Sequence, residues 1–337
     1  MSAPKQAKDL ERIISIADPG AAQAIFGPLH RHLAHIQEAF RDADAPRGAP
    51  AYRLTLDAQG DQLTARARPD GAADIERVQR IIDALVELHR RKGRVREGDV
   101  LAAISFSETA RDGAGPIKLP HVGGLTLRTP RQVHYVEAMR DEAFDLVFGV
   151  GPAGTGKTFL AVAAAVEALK NDRFDRIIVT RPAVEAGEKL GYLPGDLAEK
   201  VDPYLQPIWD AFRSQLAETD LKNRRERGQI EVAPLAFMRG RTLSNAFVIV
   251  DEAQNATMMQ MKMVLTRLGE GSRMVVTGDP SQIDLPRAEQ SGLAHAVALL
   301  ENLPGVDVIR FVAQDVVRHR LVAHIIEAYH RDEAGRV

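Results

Sequence analysis

The sequence predicts a two-domain α/β protein: a P-loop nucleotide-binding core built on a parallel β-sheet, preceded by a small α+β domain. Three observations support this prediction. From residue 123 onward, short apolar stretches alternate with helical segments, which is typical of parallel strands covered by helices on both faces. One apolar stretch runs directly into a glycine-rich phosphate-binding motif. Before residue 105, two alternating stretches lie between helical segments, and a segment rich in Gly and Pro follows.

The composition narrows the class of protein. The chain has 337 residues, 45% of them hydrophobic, which is enough for two domains with buried cores. Its 44 Lys and Arg residues are balanced by 46 Asp and Glu residues, so the surface is not basic throughout, although local basic patches are allowed. The absence of cysteine excludes disulfides, thiolate metal sites and cysteine nucleophiles. No signal peptide or membrane span is predicted, and we expect a cytoplasmic protein.

The first domain is predicted as an α-β-β-α unit over residues 20–105, after a flexible N-terminus at 1–19 that forms at most a loosely docked helix. Apolar residues at helical spacing predict a helix between 20 and 40. Residues 52–56 and 63–67 alternate around a turn at Gly60, which predicts a β-hairpin. Helices are predicted at 74–91 and 97–104, and residues 106–122 are predicted to be a linker.

The core is predicted over residues 123–331, with a short tail at 332–337. Its apolar stretches predict strands at 146–150, 176–180, 230–233, 247–250, 274–277 and 306–312. Helices are expected at 157–170, 197–216, 257–268, 293–300 and 315–329. This alternation predicts a parallel sheet with helices on both faces.

A phosphate-binding motif lies where the strand at 146–150 meets the next helix. It matches G-x-x-x-x-G-K-[ST] at every fixed position and reads Gly151-Pro152-Ala153-Gly154-Thr155-Gly156-Lys157-Thr158. The glycines let backbone N–H groups close around phosphate oxygens, and the helix N-terminus adds a positive partial charge. We expect Lys157 to reach the β- and γ-phosphates and Thr158 to offer its hydroxyl to Mg²⁺. The motif therefore predicts ATP and Mg²⁺ as ligands.

Two adjacent carboxylates follow the apolar stretch at 247–250. Asp251 is expected to hold Mg²⁺ through water, and Glu252 is expected to orient and deprotonate the attacking water. An apolar strand that ends in Asp-Glu is common, and on its own it indicates only a solvated strand end. Its combination with the P-loop favours a catalytic site, and the second carboxylate favours hydrolysis over transfer to another substrate.

A further strand, at 274–277, also ends in polar residues. In P-loop ATPases that hydrolyse through such a glutamate, an additional strand lies between the P-loop strand and the Asp-Glu strand. The segment Gly278-Asp279-Pro280-Ser281-Gln282 fits that place, with Asp279 and Gln282 expected to face the γ-phosphate. The alternative is an ordinary Gly-Asp-Pro-Ser turn.

Several segments together resemble the PhoH-like ATPase family. They are Asp251-Glu252-Ala253-Gln254-Asn255, the segment at 278–282, Thr180-Arg181-Pro182, Gly191-Tyr192-Leu193-Pro194-Gly195-Asp196 and Asp315-Val316-Val317-Arg318-His319. The resemblance covers residues 123–331 and implies a RecA-like core related to superfamily 1 helicases. It also implies that Thr129-Pro130-Arg131-Gln132 corresponds to the helicase Q motif, in which Gln132 binds adenine. Arg318 matches the family's late arginine. An ordinary helix-start residue for Gln132 and a surface ion pair for Arg318 are the alternatives.

The first domain resembles the KH-like RNA-binding module of shorter PhoH-like proteins. A KH domain clamps the nucleic-acid backbone with G-x-x-G, whereas the corresponding position here reads Gly27-Pro28-Leu29-His30 and lacks the second glycine. Some relatives carry a PIN nuclease domain instead, but residues 1–120 contain no spaced acidic quartet. We therefore predict no nuclease activity.

Other polar clusters are weaker signals. The basic runs at 90–96 and 222–227 are candidates for contact with RNA phosphates, although such runs are usually solvated loops. The side chains of His30, His32 and His35 would spread around a helix, which argues against a metal site.

The leading functional hypothesis is a Mg²⁺-dependent ATPase that remodels RNA or a ribonucleoprotein, with an RNA-processing protein as a possible partner. The alternative is a nucleotide-controlled switch that binds a protein partner without motor activity, and a small-molecule kinase is third. Because the chain has one such core, an arginine from a neighbouring subunit is expected at each site, in a homo-oligomeric ring for which the resemblance implies a hexamer. Arg239, Arg241 and Arg318 are the candidates, with Arg318 favoured.

Overall fold

The computed structural model describes residues 9–42, 51–109, 116–182, 197–285, 290–317 and 325. The chain divides into two compact units. The first comprises Met1–His121 with Thr126–Pro130, and the second comprises Val122–Leu125 with Arg131–Val337.

The first unit packs four helices on a small antiparallel sheet. Its strands are β1 (Leu10–Ser15), β2 (Leu54–Gln59) and β3 (Gln62–Ala67), in the order β1-β3-β2. Its helices are α1 (Pro19–Phe26), α2 (Arg31–Glu38), α3 (Ala72–Lys92) and α4 (Glu97–Thr109). The hairpin β2–β3 turns at Gly60, where φ is 64°, as the alternation of the sequence predicts. Phe40, Leu54, Leu63, Ile81 and Leu85 are fully buried in the core.

The prediction of a flexible N-terminus is wrong for the described residues from position 9 onward. Residues 10–15 form β1, which pairs with β3 from Leu10 opposite Ala67 to Ser15 opposite Gln62. The side chain of Ile14 is buried in the core, whereas Ile13 is exposed. The strand's partner lies about 50 residues away in the chain, so local periodicity alone does not reveal it. The predicted helix at 20–40 is also divided, because residues 27–30 separate α1 from α2.

The second unit is built on a six-stranded parallel sheet. Its strands are β6 (Leu146–Val150), β7 (Arg176–Arg181), β8 (Ile230–Pro234), β9 (Ala246–Val250), β10 (Arg273–Gly278) and β11 (Val306–Arg310), in the order β11-β6-β10-β9-β7-β8. Strands β6, β9 and β10 are buried along their whole length. The parallel sheet and the position of β10 between β6 and β9 are confirmed.

The helices of this part of the chain are α5 (Pro130–Arg140), α6 (Lys157–Lys170), α7 (Leu197–Arg213), α8 (Glu218–Glu226), α9 (Met258–Leu265) and α10 (Gly292–Leu300). Two short strands, β4 (His121–Val122) and β5 (Leu125–Thr126), pair with each other before α5. The interpretation of 222–227 as a loop is wrong, since most of this run lies in α8, where Arg224 pairs with Asp220 one turn earlier. The helix predicted at 315–329 falls mostly outside the described residues.

No helix among the described residues is both long and apolar enough to cross a membrane.

Candidate nucleotide-binding site

The P-loop connects the buried strand β6 to the start of α6. Gly151, Gly154 and Gly156 have φ angles of 139°, 84° and 85°, which residues other than glycine rarely adopt. At Gly151 a Cβ would also collide with the backbone carbonyl of Phe311. The glycines therefore permit the tight path that brings the loop's backbone round to the first turn of α6.

Lys157 is buried at the base of the loop. Its Nζ donates to the carbonyl oxygens of Gly151 at 2.6 Å and Pro152 at 2.8 Å. Burial lowers the pKa of Lys157, and the nearby carboxylates of Asp279, Glu252 and Asp251 oppose that shift. The ammonium group thus lies within the curve of the loop, where a phosphate would be bound.

Asp251 lies at the end of β9 and is almost completely buried. Its Oδ1 accepts hydrogen bonds from Thr158 Oγ1 at 2.6 Å and from Thr277 Oγ1 at 2.7 Å. The hydroxyl of Thr158 and the carboxylate of Asp251 form the type of oxygen donor set that Mg²⁺ uses alongside substrate phosphates. The structure brings together Thr158 and Asp251, the two residues predicted to bind Mg²⁺. It adds Thr277, a residue of the intervening strand β10 whose hydroxyl also contacts Asp251.

Glu252 follows Asp251 in a left-handed backbone conformation, with φ 50° and ψ 41°. Its Oε2 accepts a hydrogen bond from Gln254 Nε2 at 2.6 Å. Its Oε1 lies 3.7 Å from Nη2 of Arg181, at the end of β7. Gln254 and Arg181 both belong to segments on which the family resemblance rests. The sequence alone predicts no role for either residue, because it does not show that their side chains contact Glu252.

Asp279 links the end of β10 to the P-loop. Its Oδ2 accepts hydrogen bonds from Ala153 N at 3.0 Å and Gln282 Nε2 at 2.9 Å. Desolvation alone would raise the pKa of Asp279, but hydrogen bonds from Ser281 and Ala153, together with the charge of Lys157, outweigh it and lower the pKa. The backbone N–H of Asp279 donates to Gln254 Oε1 at 3.1 Å. A continuous polar network therefore runs from Glu252 through Gln254 and Asp279 to the P-loop.

These groups surround one cavity of about 230 Å³ at the carboxyl ends of the strands. It is lined by Lys157, Thr158, Asp251, Glu252, Asp279 and Gln282, among others. Asp279 and Gln282 thus lie beside the P-loop as predicted, and their contact with a γ-phosphate stays a prediction.

A family model described as PhoH-like protein matches residues 124–330. The chain belongs to the PhoH-like protein family. The core is that of a P-loop nucleoside triphosphatase, with the phosphate-binding loop, the Asp-Glu strand and the intervening strand in one parallel sheet.

Curated relatives carry the same family description. The PhoH-like protein of Bacillus subtilis (strain 168) is 51% identical over 264 residues, which cover 74% of this chain and 80% of the relative. A PhoH-like protein of Synechocystis is 58% identical over 206 residues, covering 61% of this chain and 62% of the relative. Protein PhoH of Escherichia coli (strain K12) is 48% identical over 207 residues, covering 61% of this chain and 58% of the relative. The chain therefore spans less than two thirds of the length of the last two relatives.

Solved structures similar to this chain include helicases. The UvsW helicase from bacteriophage T4 matches with a TM-score of 0.32 at 12% identity, covering 83% of this chain and 93% of UvsW. The Pif1 helicase from Candida albicans matches with a TM-score of 0.28 at 13% identity, covering 55% of this chain and 40% of Pif1. The sheet order and P-loop geometry, not these low scores, define the core of this PhoH-like chain.

Gln132 lies on α5 and is almost fully buried. Its Nε2 donates to the carbonyl oxygen of Thr155 in the P-loop at 3.0 Å. The structure therefore places Gln132 against the nucleotide loop, and its predicted contact with adenine stays a prediction.

The candidate arginines of this PhoH-like chain differ in their surroundings. Arg241 forms two hydrogen bonds with the carboxylate of Glu231, at 2.6 and 2.8 Å, and this pairing raises the pKa of Arg241. Arg239 is exposed. Arg318 lies outside the described residues, directly after Val317, whose backbone N–H donates to Gly154 O in the P-loop at 2.9 Å.

A second cavity, of about 710 Å³, lies in the first unit and is lined by Gly27, Leu29, His30, His32, His89 and Gly93, among others. The segment that replaces G-x-x-G is unusual in conformation, since Leu29 and His30 have φ angles of 52° and 57°. The Leu29 side chain is 99% exposed. The His32 ring packs against Gly27, where a Cβ would lie only 2.5 Å from it. The single glycine is thus needed for close packing.

Proposed function

We propose that this PhoH-like chain binds and hydrolyses ATP with Mg²⁺ and couples hydrolysis to remodelling of RNA or a ribonucleoprotein. One observation carries the hydrolytic part: Lys157, the Thr158–Asp251 pair and Glu252 line the same cavity at the end of a buried sheet. A phosphate-binding cation, an oxygen site for Mg²⁺ and a second carboxylate are the parts that hydrolysis of a nucleoside triphosphate needs.

The proposed chemistry follows from these positions. The P-loop amides and Lys157 would hold the β- and γ-phosphates, while Thr158 would offer its hydroxyl to Mg²⁺ and Asp251 would hold Mg²⁺ through water. When bound, Mg²⁺ neutralises charge that develops on the phosphate oxygens. Glu252 accepts a proton from water as the water oxygen bonds to the γ-phosphorus. The bond from that phosphorus to the bridging oxygen breaks, ADP leaves with the bonding electron pair, and the proton passes from Glu252 to solvent or phosphate.

The first unit offers one candidate contact with RNA. The C-terminal turn of α3 and the residues after it carry a dense basic run at 90–96, and His89 and Gly93 from the same stretch line the 710 Å³ cavity. Such a run favours contact with a phosphate backbone. Leu29 is exposed and lines the same cavity, so it offers an apolar surface on which an unstacked base could pack.

The alternative is a nucleotide-controlled switch that acts on a protein partner. The polar network from Ala153 through Asp279 and Gln254 to Glu252 favours it, because P-loop occupancy would change hydrogen bonds at several strand ends. The experiment that separates the two functions is the steady-state ATPase rate of the full chain with and without single-stranded RNA. RNA-stimulated turnover is expected, and a rate that RNA does not change favours the switch.

We also propose that the active form is a homo-oligomeric ring, with a hexamer as the expected size. An arginine worth about 10³–10⁵ in phosphoryl-transfer rate would then come from a neighbouring copy. Arg241 is a weaker candidate than Arg239 because Glu231 already engages its guanidinium.

A further inference from the structure

The carboxylate of Glu252 is contacted by two side chains, one from its own loop after β9 and one from the end of the neighbouring strand β7. Gln254 donates to Oε2 at 2.6 Å and is itself bonded to the backbone of Asp279 after β10. Arg181 approaches Oε1 at 3.7 Å from the end of β7. In the strand order β6-β10-β9-β7, β7 lies on the side of β9 that is remote from the P-loop strand. The two oxygens of Glu252 therefore have different partners, Gln254 for Oε2 and Arg181 for Oε1.

The ion pair between Arg181 and Glu252 is only partly shielded from water. The exposed fractions are 24% for the Arg181 side chain and 35% for that of Glu252. A pair of this exposure is weak enough to open during a reaction cycle. Glu252 itself lies in a left-handed conformation, which a residue other than glycine keeps only where its surroundings hold it. The orientation of the proposed base thus depends on its neighbours.

We propose that Arg181 is a positioning residue that restrains Glu252. The ion pair draws Oε1 toward β7 and away from the water that must attack above the P-loop. Hydrolysis is slow while the pair persists, and it accelerates when a phosphodiester oxygen of single-stranded RNA takes the place of Glu252 beside Arg181. The inference rests on the proposed function and adds to it a physical link between the RNA partner and the hydrolytic step.

The test compares the steady-state ATPase of full-length wild type, Arg181→Gln and Arg181→Lys, with and without a single-stranded oligouridylate. Arg181→Gln removes the charge, so kcat without RNA should rise roughly two- to fivefold, the size expected from a partly exposed ion pair. The KM for ATP should stay unchanged, and the stimulation by RNA should disappear. Arg181→Lys keeps the charge and should behave like the wild type. Arg181→Met, which keeps an apolar stem, serves as the second uncharged variant if Arg181→Gln does not fold.

A double variant tests whether the effect passes through Glu252. In a Glu252→Gln background, Arg181→Gln should give no increase in kcat, because the restrained carboxylate is absent. An increase there would overturn the proposal. So would an uncharged Arg181 variant that folds but has an unchanged or lower kcat than the wild type without RNA.

The failure of the restraint and the failure of the proposed function give different results. If Glu252→Gln abolishes hydrolysis but Arg181→Gln changes nothing, only the restraint is overturned. If Glu252→Gln hydrolyses ATP as fast as the wild type, the role of Glu252 as the base fails. If neither wild type nor Arg181→Gln hydrolyses ATP with Mg²⁺ and RNA, both proposals fail.

Discussion

Lys157 and Glu252 line the same cavity, but the geometry gives them separable tasks. Lys157 lies inside the curve of the P-loop, whereas Glu252 stands at the end of β9 and touches Gln254 and Arg181. Glu252→Gln keeps the size and hydrogen bonding of the side chain, so ATP should bind normally while turnover falls roughly 10²–10⁴-fold. Lys157→Ala should lose ATP affinity and turnover together. Equilibrium binding of a fluorescent ATP analogue and steady-state turnover check both variants, and normal affinity in Lys157→Ala would contradict the phosphate-binding role.

Asp279 predicts a pH dependence of stability. Its pKa is lowered in the folded protein because hydrogen bonds from Ser281 and Ala153 and the charge of Lys157 outweigh the desolvation that would raise it. The stabilisation is therefore complete above the unfolded-state pKa of about 4 and is lost as the pH falls through the lower folded-state pKa. Asp279→Asn replaces an acceptor that faces Ala153 N–H with a donor, so it should cost about 1–3 kcal/mol at pH 7. As the pH falls through the lowered folded-state pKa and wild-type Asp279 itself becomes protonated, that cost should shrink.

The measurement is urea unfolding followed by the fluorescence of Trp209, the single tryptophan, which lies in the same unit as Asp279. Asp210→Asn is the matched control, because its side chain is 73% exposed. It should change the unfolding free energy by no more than about 0.5 kcal/mol. A cost for Asp279→Asn that is the same at pH 7 and at a pH below the folded-state pKa of Asp279 would rule out the charged interaction as its source.

At the scale of the element, strand β1 gives a direct test of the fold of the first unit. Ile14 and Ile13 are neighbours with the same side chain, but Ile14 is 4% exposed and Ile13 is 57% exposed. Ile14→Ala should destabilise the first unit by about 2–5 kcal/mol because it leaves a cavity in the core. Ile13→Ala should cost about 0.5 kcal/mol or less. Amide hydrogen exchange of β3 in the full chain is the readout: Ile14→Ala should lower its protection and Ile13→Ala should not. Equal protection in the two variants would show that β1 is not docked as described.

The elements also show how far the sequence predicts this fold. The strands of the core lie within one or two residues of their predicted positions because most of them are apolar runs, although Glu231 and Asp307 interrupt β8 and β11. The strand β1 escapes prediction because its pairing with residues 62–67 is non-local and because Glu11 and Arg12 interrupt its apolar pattern. The same reason applies at the site. The motif residues of the P-loop and the Asp-Glu strand are identifiable along the chain, whereas the contact of Arg181 with Glu252 arises only because the ends of β7 and β9 lie side by side in the sheet.

At the scale of the whole molecule, the open question is which arginine completes the nucleotide site from a neighbouring copy. Arg318, which the family resemblance favours, lies outside the described residues. Arg239 is exposed on the loop that precedes β9. Of the two candidates that the structure describes, Arg239 is therefore preferred over Arg241 as the residue that acts on a neighbouring subunit.

Mixing inactive chains tests this assignment. Lys157→Ala removes the P-loop lysine but leaves every arginine, so it should complement a chain that lacks only an arginine acting between subunits. A mixture of Lys157→Ala with Arg239→Ala should partly regain ATPase activity, because some interfaces pair an intact P-loop with an intact Arg239. A mixture of Lys157→Ala with Arg318→Ala tests the candidate that the family resemblance favours, and it should stay inactive if Arg239 is the arginine that acts between subunits. Recovery of activity only in the mixture with Arg318→Ala would show that Arg318 is the arginine that acts between subunits. A wild-type chain that is fully active while light scattering shows it to be a monomer would contradict the ring.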